Sequence, residues 1–118
     1  MSNRWIERQG KRILYANFRG QKDIHEMVAG LEEMVAMLSA AAEPVLLLLN
    51  FDGMHVMPQY IAKVKELGGA VIEPKTARSA ATGIRGTKRA LFKAYLISFN
   101  SKMNTFETVQ ECLEYLAQ

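Results

Sequence analysis

Pro44 is followed by Val45-Leu-Leu-Leu-Leu49, five aliphatic residues without a polar interruption. Neighbouring side chains of a strand point to opposite faces, so such a run is stable only where both faces are covered. Bounded by Pro44 on one side and by Asn50-Phe-Asp-Gly53 on the other, it is too short for a buried helix and reads as a strand in the middle of a sheet. The remainder of the chain must then supply flanking strands and helices for both faces. With 118 residues, 49% of them apolar, there is material for one core and no room for a second domain, so residues 1–118 are read as a single unit.

Upstream, Trp5 to Gln9 and Arg12 to Arg19 read as two antiparallel strands, with Gly10-Lys11 as the tight turn between them. From Gln21 to about Ala42, residues Ile24, Met27, Val28, Leu31, Met34, Val35 and Leu38 recur at spacings of three and four, the stripe of an amphipathic helix. Burial at ~1.5–3 kcal/mol per aliphatic side chain makes that stripe a cover for the sheet rather than a solvated surface. Downstream, Tyr60, Ile61, Val64 and Leu67 predict a second helix that Gly68-Gly69 closes. Ser79-Ala-Ala-Thr-Gly83 predicts a short strand, small enough in its side chains for a helix to approach closely. Beyond Gly86, Ala90, Leu91, Ala94, Tyr95 and Ile97 or Phe99 carry a third helical stripe, with Thr87 as its N-cap. After the loop Asn100–Asn104, a short edge strand precedes a last helix, capped by Thr108 or Thr105 and buried through Val109, Cys112, Leu113 and Leu116. The order ββαβαβαβα predicts an α/β fold: a mixed sheet of four to five strands, an N-terminal antiparallel hairpin, right-handed crossovers and about four helices.

Composition narrows the function classes. Cys112 is the only cysteine, so neither an intrachain disulfide nor a cysteine-based zinc cluster can form, and a reducing compartment is expected. The start, MSNRWIERQGKR, is too polar for a secretory leader, and the longest apolar run is far below the roughly 20 residues that span a bilayer; a cytoplasmic location is expected. The net charge of +3 is local: residues 1–59 hold six Lys/Arg against seven Asp/Glu, whereas Lys75, Arg78, Arg85, Lys88, Arg89 and Lys93 span a stretch with no acid. Without a helix-turn-helix or RNA-binding signature this reads as a solvated helix face, and no nucleic-acid partner is expected; an acidic protein or an anionic lipid is the alternative.

Three groups of residues bear on chemistry. Gly83-Ile-Arg-Gly-Thr-Lys88 has the glycine turn and helix start of a phosphate loop, but only two residues separate its glycines and Lys88 follows Thr87, so nucleotide hydrolysis is not expected. His25 and His55 lack the partners that a metal site needs, and no cofactor is expected. Asp52 and His55 are three residues apart in a turn with no nucleophile beside them, which argues against an enzyme.

The segments "PVLLLLNFDGM", "RSAATGIRGTKRALFKAY" and "FETVQECLEYL", in this order from about Leu14 to the end, resemble the STAS superfamily (sulfate transporter and anti-sigma-factor antagonist), more narrowly its stand-alone bacterial members. That resemblance implies a regulatory, signalling role by protein contact. In the anti-sigma antagonists a serine in the loop after the central strand is phosphorylated by a partner kinase. Here that loop is Asn50-Phe-Asp-Gly-Met-His-Val-Met57, with no Ser or Thr, so the phosphoswitch is not carried over.

The expectation that follows is a non-enzymatic binding module. Its recognition edge is placed at the carboxyl ends of adjacent strands, from Asn50, Asp52, Gly53, Met54, His55 and Met57 in one loop and Thr82, Arg85, Gly86, Thr87 and Lys88 in the next. A protein is the expected partner, and a second copy of the chain is another. The alternative is a small anionic or lipid-like ligand, because STAS-like folds are similar to the CRAL-TRIO lipid-binding domains. An apolar cavity between helix and sheet favours that alternative, and a flat patch around Met54 and Met57 favours the protein.

Overall fold

The aliphatic run forms strand β3 (Val45–Asn50), third of five in a sheet whose spatial order follows the chain. In the computed structural model, which describes residues 2–118, β1 (Ser2–Arg8) pairs antiparallel with β2 (Lys11–Asn17). Strands β3, β4 (Thr76–Thr82) and β5 (Asn104–Phe106) then add in parallel. This is the mixed α/β sheet with an N-terminal hairpin that the pattern predicts. Alternate residues of β3 serve two cores: Val45, Leu47 and Leu49 join Leu14, Ala16 and Ala81 on one face, while Leu48 joins Ile13, Tyr15 and Ala80 on the other. Both Leu47 and Leu48 are fully buried.

The first face carries three helices. Helix α1 (Ile24–Ala40) starts where the Asp23 carboxylate accepts the backbone N–H groups of His25, at 2.8 Å, and Glu26, at 3.3 Å. It buries Met27, Leu31, Met34 and Leu38, the inner part of the predicted stripe, and ends four residues before Pro44, which disfavours helical backbone in the residue preceding it. Helix α2 (Pro58–Leu67) follows β3, and α3 (Thr87–Phe99) follows β4. All three pack into one cluster, as crossovers of a single hand require when strand order follows chain order. The second face is left to α4 (Val109–Leu116), which brings Cys112 and Leu116 onto Leu48 and Ala80. Its cap is Thr108, in a box with Glu111: the hydroxyl accepts Glu111 N–H at 3.1 Å and the carboxylate accepts Thr108 N–H at 3.2 Å.

Helix α2 ends at Leu67 with Gly68 as its C-cap, as the glycine pair predicts, and the chain continues through a π-helical turn, Gly68–Ile72, in which Glu73 N–H reaches Gly68 O at 3.0 Å. Two local expectations in α3 are corrected, and the glycine pair has a second role there. A Cβ on Gly68 would stand 2.8 Å from the Tyr95 ring, and one on Gly69 2.8 Å from the Phe99 ring, so the glycines are seats for aromatic side chains. The phase of α3 also differs by one residue: Ala90 and Ala94 are exposed, Leu91 is 39% exposed and Ile97 73%, while Phe92, Tyr95, Leu96 and Phe99 turn inward. Finally, Thr87 is the first helical residue and Gly86, at φ 60°, is the N-cap, with no side-chain cap bond. No helix among the described residues is long and apolar enough to cross a membrane.

Burial pushes the Cys112 thiol up to about 12, with the Glu111 charge adding to it and a backbone hydrogen bond opposing it. The unfolded thiol ionises from near pH 9 and the folded one only near 12, so this contribution to stability is whole below pH 9 and is lost as pH rises between the two. Alkylation by iodoacetamide at pH 8 should therefore be negligible in the native protein and rapid after denaturation, read by mass spectrometry. Leu47→Ala and Leu48→Ala should each cost about 2–5 kcal/mol in urea unfolding; a cost below about 1 kcal/mol for either would mean that its face of β3 is not a packed core.

Candidate functional site

The loops that leave β2, β3 and β4 converge at the carboxyl end of the sheet, and backbone hydrogen bonds stitch them together. Phe18 N–H reaches Asn50 O, Gly20 N–H reaches Asp52 O, His55 N–H reaches Gln21 O and Phe51 N–H reaches Thr82 O, each at 2.9 Å. Asn50, 5% exposed, directs the turn from beneath: its amide donates to the Tyr15 hydroxyl at 3.0 Å and its carbonyl oxygen accepts Asp52 N–H at 3.0 Å. Gly83, at φ +81°, lies so close to Asp52 that a Cβ would collide with the Asp52 backbone. Here the left-handed conformation and the close approach both demand glycine.

The two predicted loops are thus brought together, with their residues at different depths. Asp52, Gly53, His55, Arg85, Gly86 and Thr87 face solvent wholly or in part, whereas Asn50, Met54 and Thr82 are buried and Met57 is half-buried. No flat methionine patch exists, because Met54 belongs to the core under α1 and α2. Arg85 lies 3.9 Å from the Asp52 carboxylate, both side chains about half exposed or more, a pair that adds little to stability.

The basic run does not share one face. Lys75 donates to Ala41 O at 3.0 Å and Arg78 to Tyr115 O at 3.2 Å, so both are structural. Arg85 in the turn before α3, and Arg89 and Lys93 on the helix's outer side, border one hollow with Thr105–Glu107 of the β5 end. Lys88 turns the other way: its ammonium donates to Phe51 O at 2.8 Å, a strap from the start of α3 to the end of β3.

Behind Lys88 lies a feature that the sequence reading did not locate, an apolar chamber of about 100 Å³ between the sheet and α1, α2 and α3. Leu31 and Met34 come from α1, Leu49 and Phe51 from β3 and its loop, Tyr60 and Val64 from α2, Ile72 from the π-turn and Phe92 from α3. Lys88 is its only charged lining residue, and the exposed edge of Leu91 marks its solvent side. Burial of the ammonium lowers the Lys88 pKa; Asp52 acts against that shift and Arg85 with it. At the far wall the Tyr95 hydroxyl donates to the Glu73 carboxylate at 2.5 Å. Burial first, then that bond and the Glu73 charge, keep Tyr95 neutral well above the usual phenol range, and burial does the same for Tyr60. The signal for the chamber was the spacing Lys88-Phe92-Leu96 with Tyr95-Phe99, visible once α3 is given its true phase. Among the described residues, no three His, Cys, Asp or Glu side chains group closely enough to hold a metal ion.

Gly83→Ala should destabilise the fold by more than about 1 kcal/mol in urea unfolding and should shift the Asp52 and Gly20 amide resonances; unchanged resonances would mean that the two loops are not in contact. No family model, curated protein or solved structure matches the chain, so what this site does is argued from its own residues.

Proposed function

We propose that the chain is a non-enzymatic binding module that takes a small apolar molecule into the chamber between the sheet and α1–α3. The observation that carries this reading is the chamber itself: about 100 Å³, apolar on nearly every side and closed by one helix, α3, whose inner contacts are mainly aromatic rings. Cavities of ~150 Å³ lined by aliphatic and aromatic side chains stay dry and accept benzene-sized guests, so the space here suits a single ring or a short chain. It is too small for a membrane lipid's acyl chain, which narrows the lipid-like alternative to small guests.

A second reading follows the STAS resemblance and places a regulatory protein partner at the loop edge. The observation favouring it is that Asp52 and Arg85 are held side by side on backbone-stitched loops while remaining open to solvent. Asp52→Ala and Arg85→Ala should then reduce capture of that partner; equal capture by both variants would exclude this edge.

The chamber reading is tested with benzyl alcohol, followed by ¹H–¹⁵N spectra of the wild type and of Val64→Phe, which fills the space. The wild type should show saturable shifts at Ile72 and Phe92, and the filled variant none, with its melting temperature unchanged or raised. Equal shifts in both proteins would place the probe elsewhere.

A further inference from the structure

The chamber is not chemically uniform along its length. One end holds an ammonium, and the rest of the lining carries no charge. Lys88 and Tyr95 are seven residues apart on α3, about 10 Å along the helix axis, and the Tyr95 hydroxyl is already committed to Glu73. A guest with a charged head is therefore oriented before any contact with its body is considered: an anionic group is drawn to the Lys88 end.

Lys88 has capacity for such a head. An ammonium has three donors, and the bond given to it here is to a neutral carbonyl, Phe51 O at 2.8 Å. The ion pairs among the described residues are Lys63 with Glu32 and Glu66, and Arg85 with Asp52, and Lys88 takes part in none. Asp52, its nearest acid, has Arg85 at 3.9 Å, which leaves the Lys88 charge without a contact partner. A half-buried ammonium at the rim of an apolar space is costly unless something anionic compensates it, and the lowered pKa of this group expresses that cost. Volume supplies the other limit, since the space beyond Lys88 accommodates one ring or a few methylenes.

We infer that the chamber is a site for a small monocarboxylate, aromatic or short-chain, with its carboxylate on the Lys88 ammonium and its apolar body between Phe51, Ile72 and Phe92. The inference rests on the chamber being a ligand site and adds the chemical class of the ligand. A second carboxylate would have to sit among apolar side chains, which disfavours dicarboxylates of similar length, and neutral isosteres bind without the charge-assisted hydrogen bond. A bound carboxylate also competes with Phe51 O for Lys88, so occupancy is felt at Phe51 and Asp52, where the loop edge begins.

Calorimetry and ¹H–¹⁵N spectra at pH 7 test this with benzoate, benzyl alcohol and terephthalate against the wild type, Lys88→Met and Lys88→Arg, each variant checked for folding by circular dichroism. Benzoate should bind the wild type about tenfold or more tightly than benzyl alcohol, terephthalate more weakly than benzoate, and the benzoate shifts should include the Phe51 and Asp52 amides. Lys88→Met should erase the preference for benzoate over benzyl alcohol measured on that same variant, and Lys88→Arg should keep it. If benzyl alcohol binds and benzoate is not preferred, or if Lys88→Met retains the preference, the carboxylate inference falls and the chamber reading stands. If none of the three probes binds, both fall.

Discussion

Burial of β3 on both faces is the constraint from which the other features follow. A strand whose first five residues are Val and Leu alone cannot show either side to water, so the chain must cover the sheet twice. It does so unequally: α1, α2 and α3 lie on one face and α4 alone on the other. On the α4 side, small residues such as Ala80 let the helix come close, and the Arg4 guanidinium over Tyr15 and that of Arg78 over Tyr115 extend the cover beyond its ends. On the three-helix side, packing between large side chains of different elements is less complete, and the chamber is what remains.

Helix α3 is the element on which the chamber depends. It has few close backbone approaches to the rest of the fold and is held through side chains: Tyr95 and Phe99 seated on Gly68-Gly69, Phe92 and Leu96 in the core, and Lys88 strapped to Phe51. Elements attached in this way sit at the low end of the range of local stabilities, which suits a cover that a guest must pass. The same attachment joins the two candidate surfaces, because Phe51 lines the chamber and precedes Asp52 on the loop edge.

Much of the fold was legible in the sequence because its elements have strong, separate signals. The aliphatic run placed β3, the spacing of Met27, Leu31, Met34 and Leu38 placed α1, and the two threonines, of which Thr108 is the cap, marked the start of α4. The approach of the two loops was also legible, since neighbouring parallel strands deliver their exits to one end. What was hidden depends on contacts between distant segments. Gly68-Gly69 is a helix stop that the sequence shows, but its second role as a ring seat exists only when Tyr95 and Phe99 arrive. The phase of α3 was misread because Leu91 and Ile97 are apolar yet exposed, while Lys88 turns inward, so hydropathy and burial disagree in this one helix. Depth within the loops was hidden too, because nothing local distinguishes buried Asn50 and Met54 from exposed His55.

The agreement between strand order and chain order has a consequence for how the molecule is made. Every strand docks on the one synthesised just before it, so the sheet can grow from its amino-terminal hairpin as the polypeptide leaves the ribosome, and no strand waits for a distant partner. The exception is the uncovered side of β3, which stays exposed until the last eight-residue helix has been made. A chain interrupted before Val109 would carry a finished three-helix layer on one side and a bare apolar surface of Ile13, Tyr15, Leu48 and Ala80 on the other, the form in which newly made copies would be most prone to adhere to one another.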